Sequence, residues 1–223
     1  MDPIFEAYKQ ILRESIDLTN HKPKYSREDK QAHLERLAYK KIQDYIDNGS
    51  RGDLILTNTP ITSLPNNLKV GRGLYLSSTP IASLPDNLQV GGSLDLPNTQ
   101  ITSLPDNLEV NGYLDLSNTP ITSLSNNLKV SGFLDLRNTQ ITSLPDNLKV
   151  GGGLYLSSAP IASLPDNLEV GSSLDLRNTQ ITSLPDNLQV GGDLDLTNTP
   201  ISKKYTAEEL KGMLPGVRGR IFT

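Results

Sequence analysis

Side chains suited to catalysis are scarce in this chain of 223 residues. It contains no cysteine, which excludes a thiol nucleophile, a thiolate metal site and any disulfide. Its two histidines, His21 and His33, do not have the spacing of a metal-ligand pair. The glycine-rich stretches at 71–73 and 151–153 lack the Lys-Ser/Thr of a phosphate-binding loop. We therefore predict that the protein is not an enzyme and that it requires no cofactor or metal.

Acidic and aromatic side chains instead recur at a fixed interval of twenty residues, where they suit recognition better than catalysis. They occupy three positions around a repeated pair of leucines. The position before the first leucine, here the leading column, is Asp53, Gly73, Ser93, Tyr113, Phe133, Gly153, Ser173 and Asp193. The position between the leucines, the central column, is Ile55, Tyr75, Asp95, Asp115, Asp135, Tyr155, Asp175 and Asp195. The position after the second leucine, the trailing column, is Thr57, Ser77, Pro97, Ser117, Arg137, Ser157, Arg177 and Thr197.

The elements that must position these columns are eight repeat units, which begin at the leading-column residues and end near Ser202. Their general form is x-L-x-L-x-N-T-x-I-T-S-L-P-D-N-L-x-V-G-G. One unit alone cannot bury its six apolar side chains, but stacked units can. At roughly 1.5–3 kcal/mol for each fully buried aliphatic side chain, these internal columns are expected to dominate stability. In the third unit the apolar residues are Leu94, Leu96, Ile101, Leu104, Leu108 and Val110.

The pattern inside one unit predicts its local structure. Leu94 and Leu96 alternate with polar residues, which is the period of a half-buried strand. Asn98-Thr99 and the glycines at 91–92 predict turns on either side. Pro105 excludes a regular helix through the LPDN segment. Each unit is therefore predicted to form one short strand, a turn, an irregular return arm and a second turn.

The repeats resemble leucine-rich repeats, and the LPDNL phrase is similar to the short bacterial type that carries an LPxxL motif. The resemblance covers residues 53–202 and implies a parallel β-solenoid. Counted from the first strand leucine, the family pattern LxLxxNxL has Asn at the sixth position, whereas this chain has Thr or Ala there and usually Asn one residue earlier. A row of Thr side chains could partly replace the Asn row, and the curvature of the solenoid stays open, with a straighter β-solenoid as the alternative. The residues concerned are Thr59, Thr79, Thr99, Thr119, Thr139, Ala159, Thr179 and Thr199.

The two ends do not repeat, so we predict three segments: 1–50, 51–202 and 203–223. In the first, one helix is expected from Pro3 to about Arg13 and another from an N-cap at Ser26 to Ile46. This segment is interpreted as a cap over the first coil, with a separate helical interaction module as the alternative. In the last, Thr206 and Glu209 form a capping-box pattern. The residues expected to pack on the final coil are Val217, Ile221 and Phe222.

The charge distribution bears on partners and location. The chain has a formal net charge of −4, and residues 51–202 hold seven basic and fourteen acidic groups. Residues 203–223 hold five basic and two acidic groups, which we interpret as a solvated cap that offsets the acidic repeats, with contact to phosphate or to an acidic partner as the alternative. Binding to nucleic acid is not favoured. Without a signal peptide or a run of eighteen apolar residues, no membrane contact and a cytoplasmic location are expected.

The outward columns are the predicted binding surface. Successive strands lie ~4.8 Å apart, so Tyr113, Phe133 and Tyr155 should lie close together beside a row of Asp side chains. An exposed aromatic ridge with acidic neighbours is typical of a protein-binding patch. The alternatives are a surface that only keeps the sheet soluble and a cation held between carboxylates. The predicted partner-binding residues are Tyr75, Asp95, Tyr113, Asp115, Phe133, Asp135, Arg137, Tyr155, Asp175, Arg177 and Asp195.

Three functional hypotheses follow. The first is a non-enzymatic scaffold that binds a protein with a basic or mixed apolar-basic surface. The stretch EAYKQILRE at 6–14 resembles proteins of tailed bacteriophages, which implies an inhibitor of a bacterial defence or regulatory protein in the host cytoplasm. The second is a structural or assembly component of a virion or surface. The third is an enzyme or nucleotide-binding protein. The oligomeric state is left open.

Overall fold

The computed structural model describes residues 26–146 and 148–223. The repeats form two parallel sheets. The large sheet has nine strands, which are β1 Leu54–Ile55, β3 Leu74–Tyr75, β5 Leu94–Asp95, β7 Leu114–Asp115, β9 Leu134–Asp135, β11 Leu154–Tyr155, β13 Leu174–Asp175, β15 Leu194–Asp195 and β16 Ile221–Phe222. The small sheet has seven, which are β2 Lys69–Val70, β4 Gln89–Val90, β6 Glu109–Val110, β8 Lys129–Val130, β10 Lys149–Val150, β12 Glu169–Val170 and β14 Gln189–Val190.

The twenty-residue period sets the register of the large sheet. Leu74 pairs with Leu54 on one side and with Leu94 on the other, so equivalent residues of successive coils are neighbours. Both strand leucines of each unit are buried between the sheets, and Leu94 and Leu96 have no exposed surface. The predicted fold class is confirmed: the chain is a parallel β-solenoid with helical caps, its coils stacked on a continuous aliphatic core.

The return arm is more regular than the sequence pattern indicated. Leu68, Lys69 and Val70 alternate between buried, exposed and buried, and the last two form a strand of the small sheet. The same alternation recurs in each of the next six units. The prediction of an irregular return arm was therefore wrong for the end of the arm, because the L-x-V triplet is itself a period-two signal that precedes the glycines.

The turn after each large-sheet strand accounts for the Asn-Thr pair. Asn98 adopts a left-handed conformation with φ of 58°, which Asn tolerates better than most residues. The hydroxyl of the following Thr99 is buried and donates to the carbonyl oxygen of Leu96 at 2.7 Å. Thr therefore closes the turn of its own coil. Among the eight repeat units, only the sixth, with Ala159, lacks a hydroxyl at this position.

The N-terminal helix covers the first coil. Helix α1 spans Arg27–Asp47 and begins with a capping box between Ser26 and Asp29. Ala38 and Ile42 are buried and join the aliphatic core. The Tyr45 hydroxyl donates to the carbonyl oxygen of Gly52 and accepts from the amide of Gly71, both at 3.0 Å. The helix predicted for 3–13 lies outside the described residues.

The C-terminal segment covers the last coil and extends the large sheet. A 3-10 turn, Ile201–Lys203, leads into helix α2, Ala207–Met213, whose capping box joins Thr206 to Glu209. Strand β16 then pairs in parallel with β15. Val217 and Ile221 are buried, as predicted. Phe222 is 39% exposed instead of packed inside, because the register aligns it with Asp195 in the outward central column.

Within the part of the chain that the structure describes, no helix is both long and apolar enough to cross a membrane.

Candidate functional site

The outer face of the large sheet carries all three columns. Strand alternation turns the leucines inward, so the residues around them face outward. Most of the predicted binding residues are partly buried on this face, namely Tyr75, Asp95, Tyr113, Asp115, Phe133, Tyr155 and Asp195. Arg137 and Arg177 are exposed. Asp135 and Asp175 are buried, which corrects the expectation that every outward Asp would meet solvent.

Three aromatic rings from adjacent coils are in contact. Tyr113 and Phe133 stack with parallel rings, 4.6 Å between centroids and 2° between planes. Phe133 meets Tyr155 edge to face, with centroids 6.0 Å apart. Rings in such arrangements gain about 0.5–1.5 kcal/mol beyond the area they bury. The stack therefore fixes the rings in place while part of their surface still faces solvent.

Tyr75 extends this row, and a glycine makes room for its ring. A Cβ atom on Gly73 would lie 2.5 Å from the Tyr75 ring, so a leading-column side chain in that unit would displace it. Gly153 and Tyr155 repeat the arrangement. Burial, followed by the Asp95 charge and the neighbouring Tyr75, raises the pKa of Tyr113 to about 12. The row, here the aromatic row, consists of Tyr75, Tyr113, Phe133 and Tyr155.

Arg137 explains the burial of Asp135. The guanidinium Nε lies 2.9 Å from each carboxylate oxygen of Asp135, and Nη2 lies 2.5 Å from Oδ2. The Arg137 amide also donates to Oδ1 at 3.0 Å. With four such bonds the carboxylate needs no water, and its side chain is only 3% exposed. The same guanidinium lies 5.9 Å from the ring centroid of Tyr155, within cation–π range.

Arg177 does the same for Asp175 two coils later. Nε and Nη2 donate to the two carboxylate oxygens at 2.9 and 2.8 Å. Burial alone would raise the pKa of the Asp175 carboxyl, but the hydrogen bonds and charge of Arg177 hold it below its ordinary value. Arg177 also lies 3.5 Å from Asp195. The acidic column is thus neutralised over its C-terminal half.

Asp95 and Asp115 lack such a partner. They are neighbours in register, and no ion pair within residues 26–146 and 148–223 involves either. Burial, and then the Asp115 charge, raise the pKa of the Asp95 carboxyl, although Ser77 opposes the shift by hydrogen bonding. Asp115 accepts from the amide of Ser117 at 2.9 Å. This pair of carboxylates borders the aromatic row on strands β5 and β7.

The exposed face of the small sheet has a different character. It presents one polar side chain for each coil, with ion pairs between Lys129 and Glu109 at 2.5 Å and between Lys149 and Glu169 at 2.7 Å. These side chains are mostly exposed, so each pair contributes about 0–1 kcal/mol. Aromatic residues are confined to the other face of the repeats.

No histidine in the described part of the chain lies on the large-sheet face. His33 lies on the exposed side of α1, and His21 falls outside the described residues. Within 26–146 and 148–223, no group of three His, Asp or Glu side chains could hold a metal ion.

Sequence reasoning missed three contributors to this face. Gly73 and Gly153 accommodate tyrosine rings, and the pattern G-L-Y, present in two units, was the available signal. The D-L-R pattern at 135–137 and 175–177 was the signal for the buried carboxylates. The third is Arg220, which forms an ion pair with Asp193 at 3.2 Å. The pairing of β15 with β16 places Arg220 beside Asp193, so the leading column continues into the C-terminal segment.

The register, the leucine core and the outward columns define a parallel β-solenoid with continuous internal columns of leucine. No protein-family model matches the chain, and no curated protein matches it. Among solved structures, it is similar to YopM, a leucine-rich effector protein from Yersinia pestis, with 17% identity and a TM-score of 0.37 over 90% of this chain and 73% of that one. It is also similar to YopM from Yersinia enterocolitica WA-314, with 20% identity and a TM-score of 0.34 over 89% of this chain and 51% of that one. The chain thus spans about half the length of the second protein.

Proposed function

We propose that this protein is a non-enzymatic scaffold that binds a protein partner through the outer face of its large sheet. The observation that carries the proposal is the aromatic row, in which Tyr113 and Phe133 stack on adjacent strands and remain partly exposed. Protein interfaces are enriched in aromatic residues and Arg at their centres. Both occur together on this face.

The contrast between the two sheets supports the choice of face. Both sheets rest on the same buried core, so stability alone gives no reason for aromatic residues on only one of them. In repeat proteins the core columns are fixed and the outer columns vary, which builds an extended binding surface. The small sheet shows the polar, ion-paired pattern of a solvated surface.

The charge of this face fits a partner with a basic or mixed apolar-basic surface. Asp95 and Asp115 are neighbours in register beside the aromatic rings, and no ion pair among the described residues neutralises either. The narrower hypothesis is a phage-encoded inhibitor of a bacterial defence or regulatory protein, acting in the host cytoplasm. It rests on EAYKQILRE alone, which lies outside the described residues.

The chain supplies the substitutions for a test. Ser93 and Ser173 occupy the leading column in other units, so Tyr113→Ser and Phe133→Ser introduce a residue that this position already accommodates. The double variant should retain its circular dichroism spectrum and lose partner capture from a bacterial lysate. The matched control is Gln89→Ala with Gln189→Ala on the small sheet, which should capture the partner as the wild type does.

Two results would contradict the proposal. Undiminished capture by the serine variant would place the binding surface elsewhere. A wild-type protein that purifies as a large homo-oligomer with the large sheet buried between copies would favour the structural or assembly role.

A further inference from the structure

We infer that the N-terminal half of the large-sheet face recognises an arginine side chain of the partner, which inserts between the Asp95–Asp115 pair and the rings of Tyr113 and Phe133. This inference rests on the proposed function and specifies the chemistry of the partner.

The chain contains its own example of the contact. In the fifth coil, the Arg137 guanidinium binds Asp135 through both carboxylate oxygens and lies over the Tyr155 ring of the next coil. A carboxylate and an aromatic ring on adjacent strands thus hold one guanidinium between them. The seventh coil repeats the carboxylate half of this arrangement with Asp175 and Arg177.

The third and fourth coils supply the carboxylates Asp95 and Asp115 and the Tyr113 ring but no arginine, and Phe133 of the fifth coil stacks on Tyr113. The trailing column has Pro97 and Ser117 where the fifth and seventh coils have Arg137 and Arg177. Within the described ranges, the charge of Arg137 acts on Asp115 electrostatically, but the hydrogen bonds of its guanidinium go to Asp135. Two neighbouring carboxylates are therefore left beside two stacked rings, with their negative charge uncompensated by a hydrogen-bonded cation.

The geometry favours arginine over lysine. A guanidinium is planar, so it can donate two parallel hydrogen bonds to a carboxylate and stack on an aromatic face at the same time. A lysine ammonium is a compact and strongly hydrated charge that cannot do both in this way. Arg137 makes both kinds of contact within this chain, to a carboxylate and a ring that occupy the central column of adjacent strands.

The test uses the full chain and three peptides: hexa-arginine, hexa-lysine and uncharged hexa-citrulline. Dissociation constants are measured by calorimetry at low ionic strength. The wild type should bind hexa-arginine about fivefold more tightly than hexa-lysine, the gain expected of one additional guanidinium–aromatic contact. Hexa-citrulline should bind weakly or not at all.

Two variants remove the site in opposite ways. Asp95→Asn with Asp115→Asn removes the carboxylates. Pro97→Arg instead gives the third coil the Asp-Leu-Arg sequence of the seventh, so the chain supplies the arginine itself. Each should abolish the preference for arginine over lysine while retaining the wild-type circular dichroism spectrum.

The charge-matched control is Asp86→Asn with Asp106→Asn, which removes the same charge from exposed positions on the return arm of adjacent coils. It should keep the arginine preference. Equal binding of hexa-arginine and hexa-lysine by the wild type, or an equal loss in the control, would overturn the inference. If the serine variant of Tyr113 and Phe133 still loses partner capture in that case, the proposed function stands and only the arginine chemistry is wrong.

Discussion

Arg137 and Asp135 lie two residues apart on one strand face, and the Arg137 guanidinium donates to both carboxylate oxygens of Asp135. The carboxylate is buried beneath the guanidinium, whose own side chain is about half exposed. The Arg137 guanidinium therefore acts as a cover that shields the Asp135 carboxylate from solvent.

Removal of that cover should destabilise the protein. Arg137→Met keeps an apolar stem but leaves Asp135 buried without a counter-charge, and an unsatisfied buried group costs about 1–3 kcal/mol. The free energy of unfolding in urea measures the loss. Lys129→Met breaks an exposed ion pair and should cost about 0–1 kcal/mol. An Arg137→Met loss no larger than that of Lys129→Met would show that Asp135 reaches solvent.

Asp95→Asn should stabilise the protein at neutral pH by about 0.2–1 kcal/mol, as expected when a like-charge cross-strand pair is removed. Folding raises the pKa of the Asp95 carboxyl above its ordinary value of 3.8, so the folded state binds this proton more tightly than the unfolded chain. Ionisation of Asp95 therefore lowers the free energy of unfolding at pH values above 3.8 and does not affect it at lower pH. The gain from Asp95→Asn should be full at pH 7 and disappear at pH values below 3.8. A gain that persists in acid would refute the electrostatic explanation.

Thr79 and Ala159 provide an internal comparison, because their units are otherwise identical from the leading glycine through LPDNL. The Thr79 hydroxyl donates to the carbonyl oxygen of Leu76 at 2.7 Å in a buried turn. Thr79→Ala should therefore cost about 1 kcal/mol, and Ala159→Thr should add a similar amount. Thermal unfolding of both variants and of the double exchange measures this. Changes of the same sign would contradict the role assigned to the Thr row.

Ser125 replaces the proline found at the equivalent position of the other units that contain LPxNL. Its hydroxyl oxygen is buried without a hydrogen-bond partner among the described residues. Its carbonyl accepts from the Leu128 amide, as those of Pro85 and Pro185 do in their units. Ser125→Pro should therefore fit the backbone and stabilise the protein by about 0.4–1 kcal/mol. A lower urea midpoint would mean that this coil departs from its neighbours.

The sequence was sufficient to predict the repeating core. Residues such as Leu94, Leu96 and Ile101 repeat without variation, and an invariant apolar column in stacked coils has only the interior to occupy. The N-cap at Ser26 and the capping box at Thr206 were also predictable, since they depend on residues within one helical turn.

The outward face was less predictable, because the burial and position of its side chains depend on contacts between residues of different columns. Alternation places Asp135 outside, but only the arginine two residues later determines that it is buried. Likewise the position of the Tyr75 ring depends on the absence of a side chain at Gly73. Strand β16 could not be foreseen from the repeat, because Ile221 and Phe222 continue the sheet without the LxL signature.

The central claim, that the large-sheet face is the binding surface, is tested most directly by site-specific photo-crosslinking. A benzoylphenylalanine at Phe133 keeps an aromatic ring in the row, and the same residue at Gln89 probes the small sheet. Irradiation in a bacterial lysate should yield one discrete crosslinked protein from position 133 and none from position 89. A crosslink from position 89 alone, or the same products from both positions, would contradict the account.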